Sequence, residues 1–204
     1  MTARRPVRLG VFGGTFDPPH LGHLIVARDA AEGLALDRVL LVLAARPPHK
    51  APPAASAELR MEMLRAAVGD DPLLVASDVE LRRAGPSYTV DTLRELQALE
   101  PGAELTLLIG ADQWRDLGGW KEPRAITRLA TVAVMARSGE NPEAVDPGLG
   151  VPCRPVPVTR VDISSTELRA RVRQGRSIRH LVPEAVRTLI DREAPYAPPA
   201  VQHA

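Results

Sequence analysis

Residues 13–23, GGTFDPPHLGH, bring two imidazoles, two adjacent glycines and two adjacent prolines into one short run. Gly13 and Gly14 lack side chains, so the chain can turn sharply and bring backbone N–H groups close to a ligand. Pro19 biases Pro18 away from helix and itself occupies a position that a helix start favours, which predicts a helix beginning there. His20 and His23, three residues apart, then lie on nearly the same face of the first turn. The free N–H groups of that turn point the same way, at the positive end of the helix dipole. The result is an anion site with two imidazoles added, suited to a polyphosphate. Two other readings compete. A His-x-x-His pair can bind metal, but no glutamate accompanies it in the zinc-helix pattern and no cysteine is near. The stretch can also be a structural turn with incidental histidines. Neither a G-x-G-x-x-G fingerprint nor a G-x-x-x-x-G-K-[ST] loop occurs.

A second cluster is ISSTELR, residues 163–169. Ser164 and Glu167 have the spacing of a capping box. A helix start carrying three hydroxyls and Arg169 is equally a phosphate site. RPPHK (46–50) is a polar loop with two prolines, or a place where His49 and Lys50 reach a substrate phosphate. In IGAD (109–112), Asp112 reads as a helix cap or as a ligand group. Trp120, in GGWKEP, is either partly buried core or a flat face for a stacked ring.

These segments sit where alternating elements end. Apolar strands are predicted at 7–13, 38–45, 72–80, 104–110 and 129–137, with a proline-interrupted edge strand at 151–158. Helical spacing is predicted at 23–34, 57–69, 87–99, 165–175 and 183–193, and loop at 138–150. Alternation of this kind implies an α/β fold with a single doubly wound, open parallel sheet of Rossmann-like type and a small C-terminal helical part. Such sheets bind ligands beyond the carboxyl ends of their strands, where the topology reverses.

Composition narrows the class. The 204 residues suffice for one domain, taken as 1–194, with 195–204 read as a disordered tail. A net charge of +1 argues against nucleic-acid binding by bulk charge, even beside the arginine run that starts at Arg169. The single cysteine, Cys153, allows no intrachain disulfide. No apolar run approaches a membrane span, and the basic N-terminus lacks an apolar signal core, so a cytoplasmic location is expected.

With these residues in view, GGTFDPPHLGH and ISSTELR resemble the signatures of the nucleotidyltransferase superfamily that carries an H-x-G-H element, here His20-Leu21-Gly22-His23. Within it, the chain is most similar to the bacterial nicotinate-nucleotide adenylyltransferases, over roughly residues 7–190. The resemblance implies transfer of an adenylyl group from ATP to nicotinate mononucleotide, giving deamido-NAD and pyrophosphate in NAD biosynthesis. It implies that Gly13, Gly14, Thr15 and Phe16 contact ATP together with His20 and His23. It also implies that Ile163, Ser164, Ser165 and Arg169 hold the adenine edge and triphosphate, with Gly110 and Asp112 beneath a ribose. The catalytic groups it implies are His20, His23 and Arg169, spreading positive charge over the phosphates. Nicotinate mononucleotide would meet Thr15, His49, Lys50, Thr89, Trp120, Lys121 and Arg137. Mg²⁺ would arrive with ATP, held mainly by phosphate oxygens rather than by protein ligands. Lys121 departs from the aromatic residue expected after that tryptophan, and Ser138 departs from an R-P-G element after Arg137. Adenylyltransferases for nicotinamide mononucleotide or phosphopantetheine, and a non-catalytic nucleotide-binding sensor, are the rival readings.

Overall fold

The structure is a computed structural model and describes residues 5–48, 51–136 and 139–197. Six strands form one sheet: β1 (Arg8–Gly14), β2 (Arg38–Leu43), β3 (Leu74–Ser77), β4 (Glu104–Gly110), β5 (Thr131–Ala136) and β6 (Arg154–Pro157). Their order is β3-β2-β1-β4-β5-β6, and every pairing is parallel. This is the doubly wound order, and the topology reverses between β1 and β4.

Side-chain alternation sorts the strand residues onto two faces. Leu9, Val11, Leu40, Val42, Leu105, Leu107 and Ile109 pack on one face against α3 (Thr89–Leu99) and α5 (Pro123–Leu129). Phe12, Val39, Leu41, Leu43, Leu108, Ala133 and Met135 pack on the other, against α1 (Leu21–Gly33) and α2 (Ala57–Val68). Burial on both faces explains why β1, β2, β4 and β5 are continuous apolar runs. A third apolar cluster joins Met63 of α2 to Leu168 of α6 (Ser165–Arg173) and to Val186, Leu189 and Ile190 of α7 (Glu184–Glu193). A short helix, α4 (Ala111–Asp116), continues β4 beyond the sheet.

At the far edge, β6 carries Pro155 and Pro157, and the next residue, Val158, donates its N–H to the Ala136 carbonyl of β5 (3.2 Å). The third strand is shorter than the predicted 72–80, because Val79–Arg82 closes into a 3₁₀ turn. The 138–150 loop contains one such turn at Pro142–Ala144, and its Pro142 and Val145 carbonyls accept from the Trp114 indole (3.1 and 2.8 Å).

Two expectations are corrected. The first helix begins at Leu21 rather than Pro19, because the N–H of His20 is taken by the His23 side chain and His20 becomes the cap. The reading of 195–204 as a disordered tail fails at its start: Tyr196 is 2% exposed within the third cluster. The chain turns back at Ala194 (φ 48°), and the tyrosine ring gains more by burial than a free tail would. Residues 198–204 lie outside the described residues.

Candidate active site

At the carboxyl ends of β1 and β4, Phe16 adopts a left-handed backbone (φ 49°) that turns its ring inward. The ring stands edge-on to Phe12 and to His23, with centroids 6.0 and 5.0 Å away. A Cβ on Gly14 would lie 2.7 Å from that ring, so Gly14 is glycine because Phe16 lies over it. The Phe16 side chain therefore packs against the ring of His23 from within the loop.

His20 caps α1 and His23 is the third residue of that helix. The His20 N–H donates to His23 Nδ1 (3.2 Å), so the neutral His23 ring carries its proton on Nε2. The His20 and His23 rings stack. A Cβ on Gly22 would meet His20 Nδ1 at 3.0 Å and Cε1 at 3.1 Å. The glycine of His-x-Gly-His thus makes room for the first histidine to lie back along the helix. Burial pushes His20 down to about 4, and its Nδ1 has no hydrogen-bond partner among the described residues. Burial therefore favours the neutral form of His20.

Three buried groups that sequence reasoning missed hold this junction. Asp17 is 3% exposed and accepts from the N–H groups of Ala54 (2.7 Å) and Ala55 (3.2 Å). Arg60, 1% exposed, donates to the carbonyls of Thr15 and Ala44 (2.9 Å each), Ala45 (3.3 Å) and Ala55 (3.2 Å). It binds the ends of β1 and β2 to the start of α2. Burial holds its guanidinium below the usual arginine value, against the opposing pull of Asp17. Tyr196 donates to Asp17 Oδ1 (2.8 Å). Only Asp17 lay in a segment already under suspicion. Arg60 carried the faint signal of a charge between Leu59 and Met61 on an apolar helix face, and Tyr196 that of a lone aromatic among prolines.

From the other side, α6 points its N-terminus into the same space. Ser164 caps it by accepting from the Glu167 N–H (3.2 Å), as the capping-box spacing predicts. Ser165 donates to the Pro18 carbonyl (2.8 Å), and Arg169 to the Asp17 carbonyl (2.7 Å). Thr166 accepts from Arg169 (3.3 Å). The Arg169 guanidinium is thus tethered beside the imidazole pair by the loop that precedes it.

Two cavities open here. The larger, of about 660 Å³, is lined by Gly13, Gly14, Thr15, Phe16, His20 and His23 on one wall. Gly110 and Asp112 lie on a second wall, and Ile163, Ser164, Ser165 and Arg169 on a third. Asp112 does not cap α4: Gly110 does, with its N–H donating to the Gln113 side chain (3.2 Å). Asp112 stands exposed at the rim, paired with Arg115 (2.8 Å). The smaller cavity, of about 350 Å³, is lined by Thr89, Trp120 and Lys121 with Tyr88, Ser87 and Glu80. Lys121 Nζ is 2.9 Å from Asp91 Oδ2 and 4.7 Å from the centre of the Tyr88 ring. Gly13, Gly14, Thr15 and Gln113 line both cavities, so the two meet at the end of β1. His49, Lys50 and Arg137 lie outside the described residues. Arg173 and Arg176, further along the α6 stripe, are exposed.

The donors around the larger cavity are imidazole, hydroxyl, guanidinium and two helix N-termini, a set that matches phosphate oxygens. Among the described residues, no three His, Cys, Asp or Glu side chains come together as a metal-binding group.

Comparison with known proteins agrees with this geometry. Residues 11–171 match the cytidylyltransferase-like family. A Thermus thermophilus protein named "Probable nicotinate-nucleotide adenylyltransferase" is 50% identical over 190 residues, covering 93% of this chain and 100% of that protein. One of the same name from Exiguobacterium sibiricum is 42% identical, covering 94% and 100%. The solved nicotinic acid mononucleotide adenylyltransferase of Plasmodium falciparum, complexed with NaAD, superimposes with a TM-score of 0.75 at 16% identity. That superposition covers 93% of this chain and 97% of the other and establishes likeness of fold.

Proposed function

We infer the function from the premise that the chain belongs to the cytidylyltransferase-like family, among the nicotinate-nucleotide adenylyltransferases. It joins ATP to nicotinate mononucleotide, giving deamido-NAD and pyrophosphate, a step in NAD biosynthesis. The observation that carries this reading is the common wall of the two cavities at Gly13, Gly14, Thr15 and Gln113. One nucleotide in each cavity has its phosphate at that wall.

ATP takes the larger cavity. Its adenine edge lies by Ile163 and Ser164, its ribose by Gly110 and Asp112, and its phosphates between α1 and α6. Nicotinate mononucleotide takes the smaller one, with its pyridine ring against Trp120 and its carboxylate toward Thr89 and Lys121. The mononucleotide phosphate is already an anion at neutral pH, so its attack on the α-phosphorus requires no general base. The chain's work is placement and charge stabilisation. His23 Nε2–H and the Arg169 guanidinium donate to phosphate oxygens as negative charge moves toward the leaving pyrophosphate. Neutral His20 keeps His23 in position by stacking and by its own backbone N–H.

The donor set of the cleft suits phosphates better than a bare cation, which fits a Mg²⁺ held by phosphate oxygens and water. When bound, it would neutralise charge on the β- and γ-phosphates. No helix among the described residues is long and apolar enough to cross a membrane. An ATP-consuming step of this kind belongs in the cytoplasm.

The test is pyrophosphate release from ATP with nicotinate mononucleotide, nicotinamide mononucleotide or phosphopantetheine as acceptor. Turnover is expected to be fastest with the first. Preference for either other acceptor overturns the substrate assignment, and no release with any of the three overturns the enzymatic one.

A further inference from the structure

Tyr196 lines neither cavity, yet it is joined to the catalytic loop across 179 positions of sequence. After α7 ends, Ala194 takes a left-handed conformation and sends the tyrosine back under the sheet's carboxyl edge. Its ring fills space between α2, α6 and α7, which a phenylalanine would fill equally. Among the described residues, its hydroxyl makes one bond, to Asp17 Oδ1. Burial and the neighbouring Asp17 carboxylate both raise the phenol well above its usual value, so it remains a donor at any physiological pH.

What Asp17 does with that bond is specific. Its carboxylate is gripped from one side by Ala54 N–H, Ala55 N–H and Tyr196. Its carbonyl is the acceptor on which Arg169 rests, with the same guanidinium 3.9 Å from Asp17 Oδ2, and the next carbonyl, of Pro18, is the acceptor for Ser165. Residues 17 and 18 are therefore the seat of both the guanidinium and the α6 N-terminus. A shift of that seat moves the groups aimed at the triphosphate and leaves the Trp120 cavity alone.

We propose that Tyr196 is a positioning residue for adenylyl transfer: its hydroxyl fixes Asp17, and through the Asp17–Pro18 backbone it fixes the direction of Arg169. The C-terminal turn is thereby part of the ATP site. This rests on the reaction inferred above.

The variant that isolates the hydroxyl is Tyr196→Phe, made in the full chain and assayed with ATP and nicotinate mononucleotide. We expect kcat to fall about tenfold, since ångström-scale misplacement of a positioning group costs that much or more. KM for nicotinate mononucleotide stays within about twofold. Amide hydrogen exchange at Ala54 and Ala55 accelerates, while the amides of α7 keep their protection. On an Asp17→Ala background, Tyr196→Phe should add little further loss, because the acceptor of the hydroxyl is already gone. An unchanged kcat per folded molecule overturns the proposal. So do unchanged exchange at Ala54 and Ala55, or losses that multiply in the double variant. The exchange comparison is made on the folded protein and decides the matter even if Tyr196→Phe lowers the unfolding midpoint. If the wild-type chain makes no deamido-NAD, the assigned reaction falls and this inference with it. If the wild type turns over and Tyr196→Phe matches it, the inference alone fails.

Discussion

The ring of His20 lies flat on the ring of His23, with centroids 3.7 Å apart and planes inclined by 22°. A Cβ at position 22 would press on the first ring, 3.0 Å from its Nδ1. Gly22→Ala puts a methyl group against His20 while giving the helix a better former, worth ~1 kcal/mol. The expected result is an unfolding midpoint that holds or rises with kcat down ten- to a hundredfold, on the order of 1.4–2.8 kcal/mol of lost positioning. Thermal melts and steady-state kinetics on one preparation check it. A variant with normal kcat would show that the stacked pose is dispensable.

Stability should fall in mild acid because of His20. Above about pH 6.5 the residue is neutral in both folded and unfolded chains. Between pH 6.5 and about 4 the unfolded chain takes up a proton that the buried ring refuses. Folding therefore loses up to about 3 kcal/mol across that window, and nothing further from this residue below it. Urea unfolding at a series of pH values measures the slope, and His20→Gln should flatten it. Equal slopes in both proteins would place the acid sensitivity elsewhere.

Arg60→Met removes the donor for four carbonyls while keeping much of the apolar stem. Buried acceptors left unpaired cost ~1–3 kcal/mol each when no water replaces the donor. We expect unfolding free energy to drop by roughly 3 kcal/mol, partial hydration absorbing the rest. Activity per folded molecule should also drop, since the Thr15 carbonyl loses its anchor at the wall between the cavities. Urea titration and an active-site count check both halves.

Lys121 is half out in solvent and paired with Asp91, so its field at the pyridine cavity is screened. Lys121→Met should raise KM for nicotinate mononucleotide only about two- to fivefold, in line with a pair worth ~1 kcal/mol or less. It should leave KM for nicotinamide mononucleotide, whose amide replaces the carboxylate, unchanged. A parallel rise for both acceptors would mean that Lys121 shapes the cavity rather than recognising the acid.

Much of this was legible along the chain. The strand cores announced themselves because parallel strands are buried on both faces, and the ISSTELR cap sits where its spacing puts it. That residues 13–23 sit at the end of the first strand and line a cleft followed from residue types and spacing. Local reasoning could not supply long-range pairing. Arg60 reads as an ordinary helix charge until Thr15, Ala44 and Ala55 are seen around it. Tyr196 reads as tail until Asp17 is seen beneath it. The burial of His20 is likewise a product of packing: nothing in His-Leu-Gly-His foretells that its first ring is buried while the second stays partly exposed.

One property of the sheet concerns what the molecule does not do. Because Val158 aims its N–H inward at β5, the alternate residues Pro155 and Pro157 occupy the outward donor positions of the last strand. Proline has no hydrogen to offer. That margin presents carbonyl oxygens and no amide hydrogens, so a stray extended chain finds only half a ladder there, and stacking of one molecule onto the next is blocked at its outset.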